Sequence, residues 1–192
     1  MNTLYPIFLK PSKLKLLIVG GGLAGYEKLF FILKNSPEIK IEMVAKDFCD
    51  DLIELINKNK DSVSFRKKEF KKDDLNGKNL VIVAANDEKL NTNIEFWANE
   101  MNILVNVADT PEKCDFYLGS IVTRGDLKIA ISTNGKSPTF AKRFREVLED
   151  ILPNSTNSLI NNLNQIRNEL TVDFTQKVEK LNEVTSSLLR NK

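Results

Sequence analysis

The chain of 192 residues contains no histidine. That absence excludes serine–histidine and cysteine–histidine nucleophile pairs, histidine-ligated zinc or haem, and imidazole as a general base. Acid–base chemistry is left to Asp, Glu, Lys, Tyr or Cys. Cysteine is scarce too. Cys49 and Cys114 lie far apart without metal-type spacing, so no metal site is expected and a reduced, cytoplasmic setting is. No apolar run reaches the roughly 18 residues of a membrane span. The first nine residues have neither a basic lead nor a small-residue cleavage site, so no signal peptide is expected. A dominant charge is also missing: 28 Lys+Arg against 26 Asp+Glu leave a net charge of +2, too little to imply nucleic acid. What is present, 42% hydrophobic and 28% charged residues, is the composition of a folded chain. The length accommodates one ordinary domain plus a smaller one, or a single large one.

The most informative stretch is Leu16-Leu17-Ile18-Val19-Gly20-Gly21-Gly22-Leu23-Ala24-Gly25. An apolar run breaks into glycines and resumes as an apolar helix pattern from Tyr26. Gly20, Gly22 and Gly25 fit G-x-G-x-x-G: the first for a tight turn, the second for backbone approach to a pyrophosphate, the third for helix-on-strand packing. The N–H groups and partial positive charge of the helix start suit a phosphate. The alternative is a glycine turn that binds nothing.

After this the chain alternates strand and helix patterns. Strands are expected at 14–19, 39–44, 63–65, 80–85 and 103–107, and helices at 24–34, 50–58 and 88–101, with Asn86-Asp87 as a cap. The run Leu80-Val81-Ile82-Val83-Ala84-Ala85 has the continuous apolarity of a central parallel strand. The alternation predicts an α/β doubly wound parallel sheet. From about residue 114 the texture changes. Residues 116–122 and 127–132 read as strands of a hairpin turning at Arg124-Gly125-Asp126. Ser137-Pro138 starts a helix that runs to about Ile151. Apolar residues from Leu159 to Leu188, spaced three and four apart, read as helical throughout.

Several residues are candidates for chemistry. Asp47, just past the second strand, is the better placed acid for a ribose, since Glu42 lies inside that strand. Lys46 fits a 2′-phosphate or a plain surface lysine. Ala85, closing the central apolar run, is a further cofactor-side position. Asp109 follows the strand 103–107 at its carboxyl end, where open α/β sheets bind ligands. It fits a general base, and equally a cap for the turn before Pro111. Asp115 reads as structural. The segment Ser132-Thr133-Asn134-Gly135-Lys136-Ser137-Pro138 brings hydroxyls, N–H groups and a lysine to a helix start, which suits a carboxylate or phosphate, or forms an ordinary capped loop. The basic run from Arg66 to Lys72 is followed at once by Asp73 and Asp74 and reads as a solvated edge.

Taken in order, Tyr5-Pro6-Ile7-Phe8-Leu9, Val19-Gly20-Gly21-Gly22, Asn106-Val107-Ala108-Asp109, Ile121-Val122-Thr123-Arg124-Gly125 and residues 129–138 resemble the precorrin-2 dehydrogenase / sirohydrochlorin ferrochelatase family, the dehydrogenase module of siroheme synthase. The resemblance covers about residues 4–150, with 151–192 matching in length and helicity. It implies a Rossmann-like NAD-binding domain over 1–113, a small α+β dimerisation region over 114–150 and a C-terminal helical region over 151–192. It implies NAD-dependent oxidation of precorrin-2 to sirohydrochlorin by a homodimer, and in bifunctional members insertion of Fe²⁺ as a substrate. Asp109 is then the acid–base residue. Gly20, Gly22, Leu23, Ala24, Gly25, Lys46, Asp47 and Ala85 are the cofactor residues. Thr133, Asn134, Gly135, Lys136 and Arg124 face a substrate rich in carboxylates. Asn134 stands where a second glycine is common and Gly119 where a proline is common. The chain stops where a standalone member would, so the methyltransferase domain fused in some relatives is expected to be absent. The competing expectation is a non-catalytic NAD(H)- or tetrapyrrole-binding regulator or carrier on the same fold.

Overall fold

The computed structural model describes residues 2–186. The chain folds as two compact units. The first comprises Met1–Leu118 with Asn134–Lys136, and the second Gly119–Thr133 with the remainder from Ser137.

The first unit is built on five parallel strands: β1 (Lys15–Val19), β2 (Lys40–Ala45), β3 (Val63–Lys67), β4 (Leu80–Val83) and β5 (Leu104–Val107), in the order β3-β2-β1-β4-β5. The helices α1 (Leu23–Asn35), α2 (Asp50–Lys58) and α3 (Glu88–Glu100) connect them. Alternation along β1 sorts the core into two layers. Leu16 and Ile18 pack with Leu29 and Ile32 of α1 and Leu52 and Ile56 of α2. Leu17 and Val19 pack on the opposite face with Ile94 and Ala98 of α3. Both faces are covered, which is why β1 and β4 are almost wholly apolar. Leu17, Ile18, Val81 and Val83 are 0% exposed, each contributing about 1.5–3 kcal/mol of transfer free energy. The order reverses between β1 and β4, and it is beyond the carboxyl ends of the strands at such a switch point that open α/β sheets bind ligands.

The second unit holds an antiparallel hairpin, β6 (Ser120–Arg124) with β7 (Leu127–Ile131), followed by α4 (Pro138–Ile151), α5 (Thr156–Glu169) and α6 (Phe174–Thr185). Gly125 turns the hairpin at φ 58°. Ser137 caps α4, its hydroxyl accepting from Phe140 N at 3.2 Å.

Three sequence expectations need correction. Residues 116–119 are not part of the hairpin ladder, because Phe116 and Leu118 turn into the α1–α2 core layer instead. The fourth strand ends at Val83, and Ala84 and Ala85 leave the ladder to pack over Gly20. The C-terminal helical stretch is two helices. The chain is non-helical at Leu170–Asp173, where Asp173 starts α6 by accepting from Gln176 N at 3.0 Å. Leu188 lies outside the described residues. Among the described residues, no helix is long and apolar enough to cross a membrane.

Candidate functional site

The glycine turn between β1 and α1 is made of three obligate glycines and one open one. At Gly20, φ is 131°, and a Cβ would lie 2.3 Å from the Ala84 carbonyl oxygen. A Cβ on Gly21 would meet the Asp47 carbonyl at 1.9 Å, and one on Gly25 the Gly20 carbonyl at 2.4 Å. These three glycines let β1, β2, β4 and α1 converge. Gly22 differs: a Cβ there would meet nothing within 4 Å. It stands at the N-cap of α1 with no side-chain cap, so the first-turn N–H groups of Leu23 and Ala24 face outward unclaimed by any capping side chain. An open floor with free donors and a helix dipole is the cradle that a pyrophosphate fits.

Around this turn the parallel sheet gathers the other candidates of the first unit by strand end. Beyond β2, Lys46 pairs with Glu69 at 2.8 Å and Asp47 with Lys67 at 2.8 Å. The Asp47 side chain is 84% exposed, so this pair is weak and leaves the carboxylate able to exchange partners. Beyond β4, the Ala85 carbonyl accepts from Asn91 Nδ2 at 3.1 Å, which ties the loop to the first turn of α3. Beyond β5 comes Asp109, about two strand spacings or 10 Å along the sheet from β1.

Asp109 is exposed and sits in the left-handed region at φ 58°. Its carboxylate makes no ion pair or side-chain hydrogen bond among the described residues, so it does not cap the turn before Pro111. Asp115 does the structural work expected of it: its carboxylate accepts from Val105 N at 2.9 Å, and its own N–H donates to Val105 O at 2.8 Å.

Two neighbours of Asp109 carry a role that the sequence did not assign them. Asn106, 6% exposed, donates to Phe116 O at 2.8 Å and to Cys114 Sγ at 3.4 Å. Cys114 Sγ also accepts from Val107 N at 3.3 Å and lies 3.2 Å from Val107 O and 3.3 Å from Thr110 O. Burial pushes this thiol above its usual value, only partly offset by the Val107 N–H, so it stays protonated at neutral pH and can donate. The sequence signal was Asn106, a polar residue between Val105 and Val107, whereas Cys114, between Lys113 and Asp115, carried none.

In the second unit, Thr133 Oγ1 accepts from Ser137 N at 3.1 Å. Arg124 donates to Thr123 O at 3.3 Å and to Glu149 O at 2.6 Å, tying the hairpin to the C-terminal turn of α4, where a cation complements the helix dipole. Its Nε–H is buried with no hydrogen-bond partner among the described residues. Asn134, at φ 55°, and Gly135, at φ 75°, form a left-handed pair ahead of the exposed Lys136. These three group with the first unit.

A family model described as "Putative NAD(P)-binding" matches residues 7–120, and one described as "Sirohaem biosynthesis protein central" matches residues 124–151. The siroheme synthase of Vesicomyosocius okutanii subsp. Calyptogena okutanii (strain HA) is 34% identical over 94% of this chain and 38% of that protein. The siroheme synthase of Pseudoalteromonas translucida (strain TAC 125) is 40% identical over 77% of this chain and 30% of that protein. The chain thus spans between 30% and 38% of the length of these two relatives. Among solved structures, SirC, precorrin-2 dehydrogenase, superposes with a TM-score of 0.72 at 27% identity, covering 94% of this chain and 89% of that one.

Proposed function

The chain belongs to the NAD(P)-binding family and shares most of its own length with siroheme synthases; on that premise we propose that it is an NAD-dependent dehydrogenase that converts precorrin-2 to sirohydrochlorin. The observation that carries this reading is Asp109, an exposed carboxylate with no partner among the described residues at the carboxyl end of β5, at the same end of the parallel sheet as the open Gly22 cradle. When bound, NAD⁺ supplies a hydride acceptor and leaves as NADH. The Asp109 carboxylate takes the proton that leaves the substrate with that hydride, so precorrin-2 loses two protons and two electrons in all and gains one double bond. Gly22 and the N–H groups of Leu23 and Ala24 hold the pyrophosphate, with Gly20 and Gly25 shaping the turn. Asp47 takes the ribose hydroxyls, flanked by Lys46, and Ala85 lines the cofactor from β4. Thr133, Asn134, Gly135 and Lys136, supported by Arg124, bind the substrate carboxylates.

We assign the chain to a homodimer in the reducing cytoplasm, which its two free cysteines suit. Support for the dimer is the run Phe140, Phe144, Val147 and Ile151 along α4, between 43% and 64% exposed at helical spacing. Residues 114–150 then form the dimerisation region and 151–192 the helical one, beside the NAD-binding domain of 1–113.

The test is anaerobic mixing with precorrin-2 and NAD⁺. Formation of NADH and sirohydrochlorin is expected. Binding of both without turnover would overturn the assignment in favour of a binding module. A parallel arm with sirohydrochlorin and Fe²⁺ reads iron insertion by the absorbance of siroheme. The variant Asp109→Ala is expected to lose at least about a hundredfold in kcat while keeping its NAD⁺ affinity. Unchanged turnover would remove Asp109 from the chemistry.

A further inference from the structure

The loop that presents Asp109 is held by a sulfur atom. Between the last residue of β5 and the 3₁₀ turn Pro111–Lys113, the chain passes through Ala108, Asp109 and Thr110. Ala108 N is anchored to Val83 O at 2.9 Å, and Thr110 N reaches Val107 O only at 3.3 Å. Asp109 occupies the left-handed region, a conformation that a residue with a side chain keeps only when its surroundings impose it. An aspartate in such a turn commonly stabilises it with its own carboxylate. Here the carboxylate has no partner among the described residues, and the carbonyls on either side of the bend, Val107 O and Thr110 O, both face Cys114 Sγ, at 3.2 Å and 3.3 Å. The same sulfur accepts from Val107 N at 3.3 Å and from the buried Asn106 amide at 3.4 Å.

We propose that Cys114 is a positioning residue for the oxidation: its thiol closes the 107–114 loop and sets the backbone of Asp109, leaving the carboxylate free to take a proton from the substrate. The proposal rests on the Asp109 reading above. The sulfhydryl proton goes to one of the two carbonyls, while the sulfur lone pairs serve the two N–H donors. A thiol suits this place because it is compact enough for a half-buried loop and both donates and accepts. Without it, the bend at Asp109 keeps only the Ala108 N–H to Val83 O, the long Thr110 N–H to Val107 O and the Thr110 hydroxyl to Ala108 O at 3.3 Å, and the carboxylate samples positions away from the reacting atoms.

The test compares Cys114→Ala, Cys114→Ser, Asp109→Ala and the double variant Cys114→Ala/Asp109→Ala. Each is assayed for kcat, for KM of precorrin-2, and for NAD⁺ affinity by calorimetry. Cys114→Ala is expected to lower kcat about tenfold to a hundredfold, the scale of a misplaced reacting group, with NAD⁺ affinity within about twofold of the parent. The double variant is expected to be no slower than Asp109→Ala alone, because the thiol acts only through that carboxylate. Cys114→Ser keeps a donor and an acceptor on a shorter arm and is expected to lie between the alanine variant and the parent. Parental kcat in Cys114→Ala, beside an inactive Asp109→Ala, overturns the positioning role and leaves the Asp109 reading standing. Parental kcat in Asp109→Ala overturns that reading and the proposal with it. A double variant slower by the product of the two single losses overturns the coupling and makes Cys114 a general packing residue. Should Cys114→Ala fail to fold, Cys114→Ser decides, and parental turnover there overturns the proposal.

Discussion

Gly20 and Gly22 stand two positions apart and carry opposite burdens. Gly20 is required by the fold, since its φ of 131° and the Ala84 carbonyl 2.3 Å from any Cβ leave no room for another residue. Gly20→Ala is therefore expected to destabilise the chain by about 3 kcal/mol or more. Gly22 has ordinary backbone angles and open space, so Gly22→Ala is expected to cost under about 1 kcal/mol. It nevertheless places a methyl group in the pyrophosphate cradle and is expected to weaken NAD⁺ binding at least about tenfold. Urea unfolding and calorimetry on the two variants separate the roles; equal losses of stability in both would contradict them. The sequence motif already gives the two glycines different parts, the first for a tight turn and the second for close approach to a pyrophosphate. The approach of Ala84 beyond β4 to Gly20, and the open space at Gly22, give those parts a steric cause. Asp109 was legible because it follows a strand end, whereas Cys114 was not, because its meaning depends on contacts closed by a bend of the chain.

At the scale of the element, β2, β3 and the 3₁₀ turn Lys72–Leu75 are joined by an ionic cluster. The Asp74 carboxylate, 3% exposed, accepts from Lys68 at 2.7 Å, Arg66 at 2.9 Å and Lys71 N at 2.8 Å. Glu42 pairs with Lys78 at 2.6 Å and with Arg66. Burial alone raises the pKa of each carboxyl. The hydrogen bonds and charges of Lys78 and Arg66 for Glu42, and of Lys68, Lys71 N–H and Arg66 for Asp74, outweigh burial and hold both below their ordinary values. Their contribution is therefore complete above the ordinary values of 4.5 for glutamate and 3.8 for aspartate, and it is lost as pH falls through the lowered folded values. Urea midpoints between neutral and acid pH are expected to fall more steeply for the parent than for Asp74→Ala. That variant is also expected to lose about 2–3 kcal/mol at neutral pH, less than a fully buried pair because Arg66 and Lys68 are partly exposed. Parallel pH profiles would show that the cluster contributes nothing. The sequence marked this stretch only as a solvated basic edge. The run Arg66 to Lys72 is in fact half committed to a buried acid that comes two residues later.

At the scale of the whole molecule, the exposed apolar run on α4 carries the expectation of a dimer. Sedimentation equilibrium is expected to give twice the 21.8 kDa chain mass. Phe144→Glu is expected to shift that mass toward the single chain while leaving the unfolding of the NAD-binding unit unchanged, and a parental mass in this variant would exclude the α4 face. The alternating strand and helix patterns were enough to read the doubly wound sheet, because each strand buried on both faces must be apolar throughout. They were not enough to read the C-terminal helices, where a continuous three-and-four spacing hides the break at Asp173.

Local chemistry alone determined the strand-turn-helix at residues 15–35, the caps at Asp87 and Ser137 and the absence of imidazole chemistry. Each depends on residues adjacent in sequence or on simple composition. The tertiary structure decided which glycine is open, where the uncommitted carboxylate stands and what holds it. Those depend on strand order and on loops that return to touch distant residues. The parallel register that aligns the ends of β1, β2, β4 and β5 converts scattered positions 20–25, 46, 47, 85 and 109 into one side of a sheet.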